Sequence, residues 1–153
     1  SGCPAALPEH FTGAAQRFEH GFILWTAQPD RFYVFVDAQT LHAFLVVRAP
    51  YTFQAVDPVT DTPPPGLYEP ISGFGKVWRG EIQTYNPNFS NLRALLGWAV
   101  EPEHPYETDF QCDEGTSYSM FGNYRFTQNC FLRDAGGDII LLRPQDGMWE
   151  LWE

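Results

Sequence analysis

Six carboxylates crowd the segment 101–114, and they are the residues most able to do chemistry. They are Glu101, Glu103, Glu107, Asp109, Asp113 and Glu114. A glycoside hydrolase needs two carboxyl groups that face each other across a bound sugar. Their spacing does not show which two would face each other, and a solvated acidic face explains the run as well. A secreted carboxylate-dependent glycoside hydrolase is therefore an alternative function, and a non-catalytic protein is the main expectation.

Other signatures of catalysis or metal binding are missing from the sequence. No His-Glu-x-x-His pair and no Gly-x-Ser-x-Gly nucleophile motif occurs. The Gly-rich stretch 73–76 lacks the length and the Ser or Thr of a phosphate loop. Cys112 and His104 would lack the third member of a nucleophilic triad. We therefore expect no catalytic residue, no cofactor and no metal site. The histidines are His10, His20, His42 and His104.

The three cysteines predict a disulfide. Cys3, Cys112 and Cys130 cannot all pair within one chain, and no Cys-x-x-Cys spacing supports zinc. Three buried thiols are the alternative. We expect one disulfide, between Cys3 and either Cys112 or Cys130, because it would tie down an otherwise loose N-terminus.

Aromatic residues make up 16% of the chain, and exposed ones could stack on sugars or form an interface. The segment 148–152 alternates strictly, so Trp149 and Trp152 should lie on opposite faces of a final strand. An unblocked final strand is a template for pairing with another chain. Self-association is thus one expectation, and polysaccharide binding is the other. The candidate ligand or interface aromatics are Trp25, Trp78, Trp149 and Trp152.

Charge excludes one class of partner. The formal net charge is −10, whereas nucleic-acid binding needs clustered Lys and Arg. There is no apolar run of 18 residues, so no membrane insertion is expected.

Most of the chain has the pattern of strands, and one segment has that of a helix. In 88–97, Leu92, Leu95 and Leu96 share a helical face, Asn88 or Ser90 could cap the start, and Gly97 fits the end. The same segment begins with an Asn-x-Ser sequon, which makes Asn88 a candidate for glycosylation. Residues 1–15 suggest an irregular lead-in, 57–73 is a Pro-rich connection, and the type of 74–78 is unclear. Strands are expected at 16–25, 31–36, 40–47, 51–56, 106–112, 117–126, 130–134, 138–142 and 148–152.

The sequence also predicts an internal repeat, and a single β-domain whose strands look alike is the alternative. A shift of 108 positions lays 17–44 on 125–152 without a gap, and Pro-Glu-His occurs at both 8–10 and 102–104. The second copy would carry an insertion near 113–124. We therefore expect an all-β fold in a single domain, 1–153, made of two packed antiparallel β-meander repeats at about 8–56 and 102–153. The connection 57–101 would hold the Pro-rich stretch and one short helix.

Four stretches of the sequence resemble a known repeat. They are Phe-Glu-His-Gly-Phe-Ile-Leu-Trp (18–25), Arg-Phe-Tyr-Val-Phe-Val-Asp (31–37), a Gly-Phe-Gly-Lys-Val-Trp-Arg box (73–79) and a Leu-Gly-Trp-Ala box (96–99). Together they resemble repeats of secreted surface proteins of Chloroflexota-type bacteria, and more loosely the LGFP repeats of bacterial envelope proteins. The second copy departs from this pattern, with Asn129 for the Gly and Arg133 for the Trp.

The resemblance implies a secreted, extracellular or cell-surface module without catalytic activity. We therefore expect a structural subunit that self-assembles into a surface or filament structure. A cell-wall or glycan-binding module is the alternative.

Overall fold

A computed structural model describes residues 9–48, 62–80 and 87–152. The protein is mostly antiparallel β-sheet with two short α-helices, so the predicted all-β class is confirmed. The strands are β1 (Glu9–Phe18), β2 (Gly21–Thr26), β3 (Arg31–Asp37), β4 (His42–Arg48), β5 (His104–Cys112), β6 (Thr116–Met120), β7 (Asn123–Thr127), β8 (Cys130–Arg133), β9 (Ile139–Arg143) and β10 (Met148–Leu151). The helices are α1 (Ser72–Arg79) and α2 (Leu92–Leu96), with a 3-10 turn at Pro87–Phe89.

Within the described ranges, neither helix has the length and apolar character needed to span a membrane. The predicted strand at 51–56 and the first part of the Pro-rich connection, 57–61, lie outside these ranges.

The chain forms two compact units. Gly13–Tyr106 is called the helical unit, because it contains α1 and α2. Ser1–Thr12 together with Glu107–Glu153 is called the hairpin unit, because it contains the β6–β7 hairpin.

In the helical unit, β1 to β4 form an antiparallel meander in chain order. The central strand β3 is buried on both faces, with Val34, Phe35 and Val36 fully buried. Such a strand appears in the sequence as a continuous apolar run, which is why 31–36 was predictable. Its predicted neighbour at 40–47 is β4.

The predicted strand at 16–25 is wrong, because the chain turns in its middle. Backbone hydrogen bonds hold this turn to the end of α2, from Glu19 N to Trp98 O and from His20 N to Leu96 O, both 2.9 Å. The strand then resumes at Gly21, whose φ of +144° is open only to glycine. The expected irregular lead-in is also wrong over 9–15, because β1 begins at Glu9.

The expectation of one helix is wrong as well, since the segment of unclear type is α1. Phe74, Val77 and Trp78 share one face of this helix and are buried. Trp78 Nε1 donates a 2.7 Å hydrogen bond to Gly97 O, at the end of α2. The guanidinium of Arg93 lies 4.6 Å from the Trp78 ring centroid, a cation–π distance. Contacts in the tertiary structure therefore stabilise a helix too short to be stable alone.

The start of α2 differs from its prediction by a residue or more. Its N-cap is Asn91, whose side chain accepts a hydrogen bond from Ala94 N at 3.2 Å, and neither Asn88 nor Ser90 takes that place. Its C-cap is Gly97, with φ of +74°, as expected.

In the hairpin unit, strands β5, β8, β9 and β10 are neighbours in that order, and the start of β1 lies beside β5. The predicted strands near 106–112, 130–134, 138–142 and 148–152 are therefore present as β5, β8, β9 and β10. The predicted strand at 117–126 is wrong, because Phe121 and Gly122 turn the chain into the two-stranded hairpin β6–β7.

The two units share a strand order. β1 to β4 and β5, β8, β9, β10 are both antiparallel meanders, and β6–β7 is inserted between the first two strands of the second. A shift of 108 positions lays β2 and β3 on β8 and β9. The hairpin overlaps the insertion expected near 113–124. The common origin of the two copies stays a prediction.

Replacing Gly21 with Ala tests the turn that joins β1, β2 and α2. A Cβ at this position would lie 2.0 Å from Phe35 O and 2.8 Å from a Leu96 methyl, in a backbone conformation that alanine avoids. We expect Gly21→Ala to lower the free energy of unfolding by about 3 kcal/mol, measured by urea denaturation. Gly66→Ala is the control, because φ is also positive there but no atom lies within 4 Å; about 1 kcal/mol is expected. Equal losses for the two variants would contradict the packing argument.

Candidate functional site

A disulfide between Cys112 and Cys130 closes the base of the β6–β7 hairpin. The two residues are direct cross-strand partners on β5 and β8, with Cα atoms 4.0 Å apart. The expected pairing of Cys3 with one of them is therefore wrong. The strand register, which the sequence does not reveal, decides the pairing. Cys3 lies outside the described residues.

Asp113 adds a second anchor at the base of the hairpin. Its Oδ1 accepts hydrogen bonds from Gly115 N at 2.9 Å and from Asn129 N at 3.2 Å. Its carbonyl oxygen accepts from Gln128 Nε2 at 2.9 Å. The two ends of the hairpin are thus fixed by one covalent bond and a small polar network.

Above this base, the hairpin is exposed on both faces and is rich in aromatic residues. Phe121 is 94% exposed and Tyr124 is 75% exposed, and Tyr118 and Phe126 are each more than two-fifths exposed. An isolated two-stranded hairpin is at best marginally stable in water. Large aromatic side chains left in water on such a hairpin mark an interaction surface.

The register of the hairpin sorts these residues onto two faces. Tyr124 and Phe126 are opposite Ser119 and Ser117, so they share one face two residues apart. Tyr118 is opposite Arg125 on the other face. Phe126 lies over Gly115, where a Cβ would come within 2.3 Å of its ring.

The tip of the hairpin is a strained position. Phe121 and Gly122 are the two central residues of the turn, with φ of +52° and +78°. Positive φ at both central positions is the pattern of a type I′ turn, which favours Asn-Gly. A bulky residue with positive φ is an outlier that points to a functional role.

Sequence reasoning missed the hairpin aromatics Tyr118, Phe121, Tyr124 and Phe126. The signal available was Gly122 followed by Asn123, a pair of turn residues inside an aromatic run. Because aromatic and polar residues alternate on each side of this pair, the sequence was also compatible with one long strand at 117–126.

The helical unit has a cleft of about 540 Å³ beside Trp25. Its apolar lining comes from Trp25, Phe32 and Phe74, and its charged lining from Asp30, Lys76 and Glu103. The ring of Trp25 is half-buried and held in place by a 2.8 Å hydrogen bond from its Nε1 to Asp30 Oδ1. Aromatic walls with a few oriented polar groups are typical of binding sites.

The rim of this cleft includes the start of α1. Ser72 lines the cleft and has φ of +54°, and no side chain caps this helix end. The first backbone N–H groups of a helix lack partners within the helix, so this rim can donate to a carbonyl or carboxylate.

The other candidate tryptophans differ in exposure. Trp78 and Trp149 are buried, so they serve the core of their units. Trp152 is 53% exposed, and its ring packs edge-on against Phe131 at 5.6 Å between centroids. Of the four candidates, Trp25 and Trp152 can therefore meet a partner.

Asn88, the glycosylation candidate, is exposed in the 3-10 turn before α2. Its position is compatible with a glycan, and glycosylation stays a prediction.

Most of the acidic run is engaged in local contacts within one unit or the other. Glu101 Oε1 accepts hydrogen bonds from Arg17 N at 3.1 Å and His104 Nε2 at 3.2 Å. Glu107 and Asp109 flank His10, with Asp109 Oδ1 2.8 Å from its Nδ1. Within the described ranges, no group of three His, Cys, Asp or Glu side chains is arranged to hold a metal ion.

Comparison with known proteins adds no relative. No protein-family model, curated protein or solved structure matches the chain.

Removal of the disulfide tests its role as the anchor of the hairpin. It closes a loop with a sequence separation of 18 residues, so Cys112→Ser with Cys130→Ser should lower the free energy of unfolding by about 3 kcal/mol. Hydrogen exchange of the amides at 116–127 should accelerate more than exchange in β3. Equal acceleration in both regions would contradict a local anchoring role.

The cluster around His10 predicts a pH dependence. Hydrogen bonds to Asp109 first and Glu107 second raise the pKa of His10 above its ordinary value of 6.5. Stabilisation by protonated His10 is therefore complete below pH 6.5 and is lost as the pH rises through the higher folded-state pKa. An NMR titration of the His10 ring protons should give a midpoint above pH 6.5. Asp109→Asn should lower the midpoint more than the matched variant Glu107→Gln, and the reverse order would contradict the geometry.

Proposed function

We propose that this protein is a non-catalytic extracellular structural subunit that self-assembles through the β6–β7 hairpin. The observation that carries the proposal is the exposed aromatic hairpin with Phe121 at its tip. The disulfide and Asp113 hold the two ends of the hairpin together before any partner arrives, which limits the backbone arrangements open to it. Little ordering entropy is then lost on association, and the contact strengthens accordingly.

Burial of aromatic surface supplies the driving force. Phe and Tyr each bury a large apolar area, and aromatic residues dominate the energetics of protein interfaces. Both hairpin faces carry such residues, so the hairpin can supply the centre of an interface.

The charge distribution favours contact at this surface. Each copy carries a net charge of −10, so acidic surfaces on two copies repel each other. The segment 115–133, which includes the hairpin, contains no Asp or Glu, and Arg125 gives the hairpin a positive charge. Association should therefore occur through the hairpin and strengthen as salt screens the remaining repulsion.

Two further features support the extracellular part of the proposal. The Cys112–Cys130 disulfide is of a kind that persists in oxidising compartments. The resemblance to repeats of bacterial surface proteins points to the same location.

The alternatives have weaker support. A hydrolase would need two convergent carboxylates. In the acidic run, Glu101, Glu107 and Asp109 bind neighbouring groups and Asp113 anchors the hairpin. Glu103 lines the Trp25 cleft together with Asp30, whose carboxylate accepts the hydrogen bond of the Trp25 indole. Polysaccharide binding would use the Trp25 cleft, which has the aromatic and polar lining that a sugar requires.

Phe121→Asn tests the proposal without weakening the fold. Asparagine tolerates positive φ, and Asn-Gly is the preferred type I′ pair, so the free energy of unfolding should rise by about 0.5–1 kcal/mol. Loss of the tip aromatic should nevertheless raise the concentration at which assembly begins roughly tenfold or more. Sedimentation velocity and negative-stain electron microscopy over a concentration series would measure this.

Val100→Ser is the matched control. Val100 is an exposed apolar residue of the helical unit that belongs neither to the hairpin nor to the lining of the Trp25 cleft, so its loss should leave assembly unchanged. A wild-type protein that stays monomeric at every concentration and salt level would contradict the proposed function. Equal effects of the two substitutions would contradict the role of the hairpin.

A further inference from the structure

We infer that Phe121 of one copy inserts into the Trp25 cleft of a second copy, which makes the assembly head-to-tail. This inference rests on the proposed function and names the surface that receives the hairpin. The tip and the cleft are different parts of the chain, so each copy offers one of each.

The size and the aromatic lining of the cleft suit the ring of Phe121. Phe121 is an exposed aromatic ring on a narrow two-residue turn, and Gly122 beside it has no atom within 4 Å of its Cβ position. The cleft, at about 540 Å³, is roomy enough for a side chain, and Trp25, Phe32 and Phe74 line it. Aromatic rings favour offset or edge-on contacts of the kind Phe32 and Phe74 already make, with centroids 5.6 Å apart.

Charge is complementary at the rim. Among the described residues that line the cleft, Asp30 and Glu103 are acidic and Lys76 is basic. The hairpin carries Arg125 and no carboxylate. Arg125 lies two residues along the strand from Asn123, about 7 Å from the turn, so it would reach the rim when Phe121 is inside.

The backbone of the turn also fits the rim. The carbonyl groups of the two central turn residues point away from the hairpin's own hydrogen bonds. The first N–H groups of α1, which begins at Ser72, have no acceptor within the helix itself.

Backbone strain marks both sides of the proposed contact. Among the described residues, Ser72 and Phe121 are the two non-glycine positions with positive φ. One lines the cleft, and the other forms the tip. Strain of this kind persists at ligand clamps and functional sites.

A head-to-tail contact has a structural consequence. Because the two surfaces differ, an open chain of copies of any length keeps one free tip at one end and one free cleft at the other. Such heterologous contacts build rings when the rotation closes and open filaments when it does not.

A mixing experiment with two variants tests the inference. Phe121→Asn keeps the cleft and lacks the aromatic tip. Lys76→Trp keeps the aromatic tip and fills the cleft from an exposed position on α1. Each variant alone should be monomeric at concentrations where the wild type assembles. An equimolar mixture should form a one-to-one heterodimer and stop there, as measured by sedimentation velocity and native mass spectrometry.

A crosslink on an otherwise unchanged cleft provides the second measurement. Phe121→benzoylphenylalanine keeps an aromatic tip and reacts with nearby C–H bonds on illumination. We expect intermolecular crosslinks to segments 25–32 or 72–76, identified by mass spectrometry after digestion. Crosslinks to segment 116–127 of the second copy would instead show hairpin-to-hairpin contact and overturn the inference. Should Lys76→Trp fail to fold, Glu103→Arg and this crosslink decide the question.

The remaining outcomes separate the inference from the proposed function. If the wild type assembles and Lys76→Trp assembles equally well, self-assembly stands and the cleft contact is overturned. If the wild type stays monomeric, both fail. If a soluble β-glucan then changes the tryptophan fluorescence of the wild type but not of Lys76→Trp, the cleft is a glycan site.

Discussion

The hydrogen-bonded junction between the β1–β2 turn and the end of α2 is the interaction on which the helical unit depends. Glu19 contributes twice, since its N–H donates to Trp98 O and its carboxylate accepts from Trp98 N, both at 2.9 Å. The junction fixes Gly97, whose carbonyl receives the Trp78 indole and so positions α1. Since α1 supplies one wall of the Trp25 cleft, the three sequence boxes 18–25, 73–79 and 96–99 build the frame behind the cleft. The residues of these boxes are therefore explained by packing and do not by themselves indicate a ligand.

The local sequence pattern predicted the strands that are buried along their whole length or bounded by clear turn residues. The doubly buried β3 appears as a continuous apolar run, and β9 and β10 are bounded by clear turn residues. The failures have a common physical cause, which is that distant contacts override local preference. The segment of α1 contains two glycines and follows a proline, and buried contacts of Phe74 and Trp78 make it helical. The turn at Glu19 and His20 exists because α2 offers hydrogen-bond partners, and they come from about eighty positions away in the sequence.

The candidate site was less predictable than the fold. Strand alternation predicted opposite faces for the two tryptophans; Trp149 is buried on β10, and Trp152, one residue beyond the strand, is 53% exposed. Alternation could not choose among disulfide pairings, since only the β5–β8 register brings Cys112 opposite Cys130. Nor could it find Phe121, because a phenylalanine is the wrong residue for a type I′ turn. Such a conflict between residue and backbone is expected at functional positions, and it becomes visible only when φ is known.

The length, charge and packing of β10 also agree with the proposed self-assembly through a tip and a cleft. The expectation that β10 pairs with another chain requires a long, flat and unblocked strand. β10 has four residues, Glu150 on it lies 3.6 Å from the Arg143 guanidinium, and Trp152 beyond it packs against Phe131. The charge of Glu150 and the short length of β10 both reduce the stabilisation that an added strand could gain there. The hairpin has the opposite character: it is anchored at its base, free of carboxylates and aromatic at its end. The proposed contact of the hairpin tip with the cleft would therefore be favoured over pairing along β10, and an assembly built on it would have one geometry.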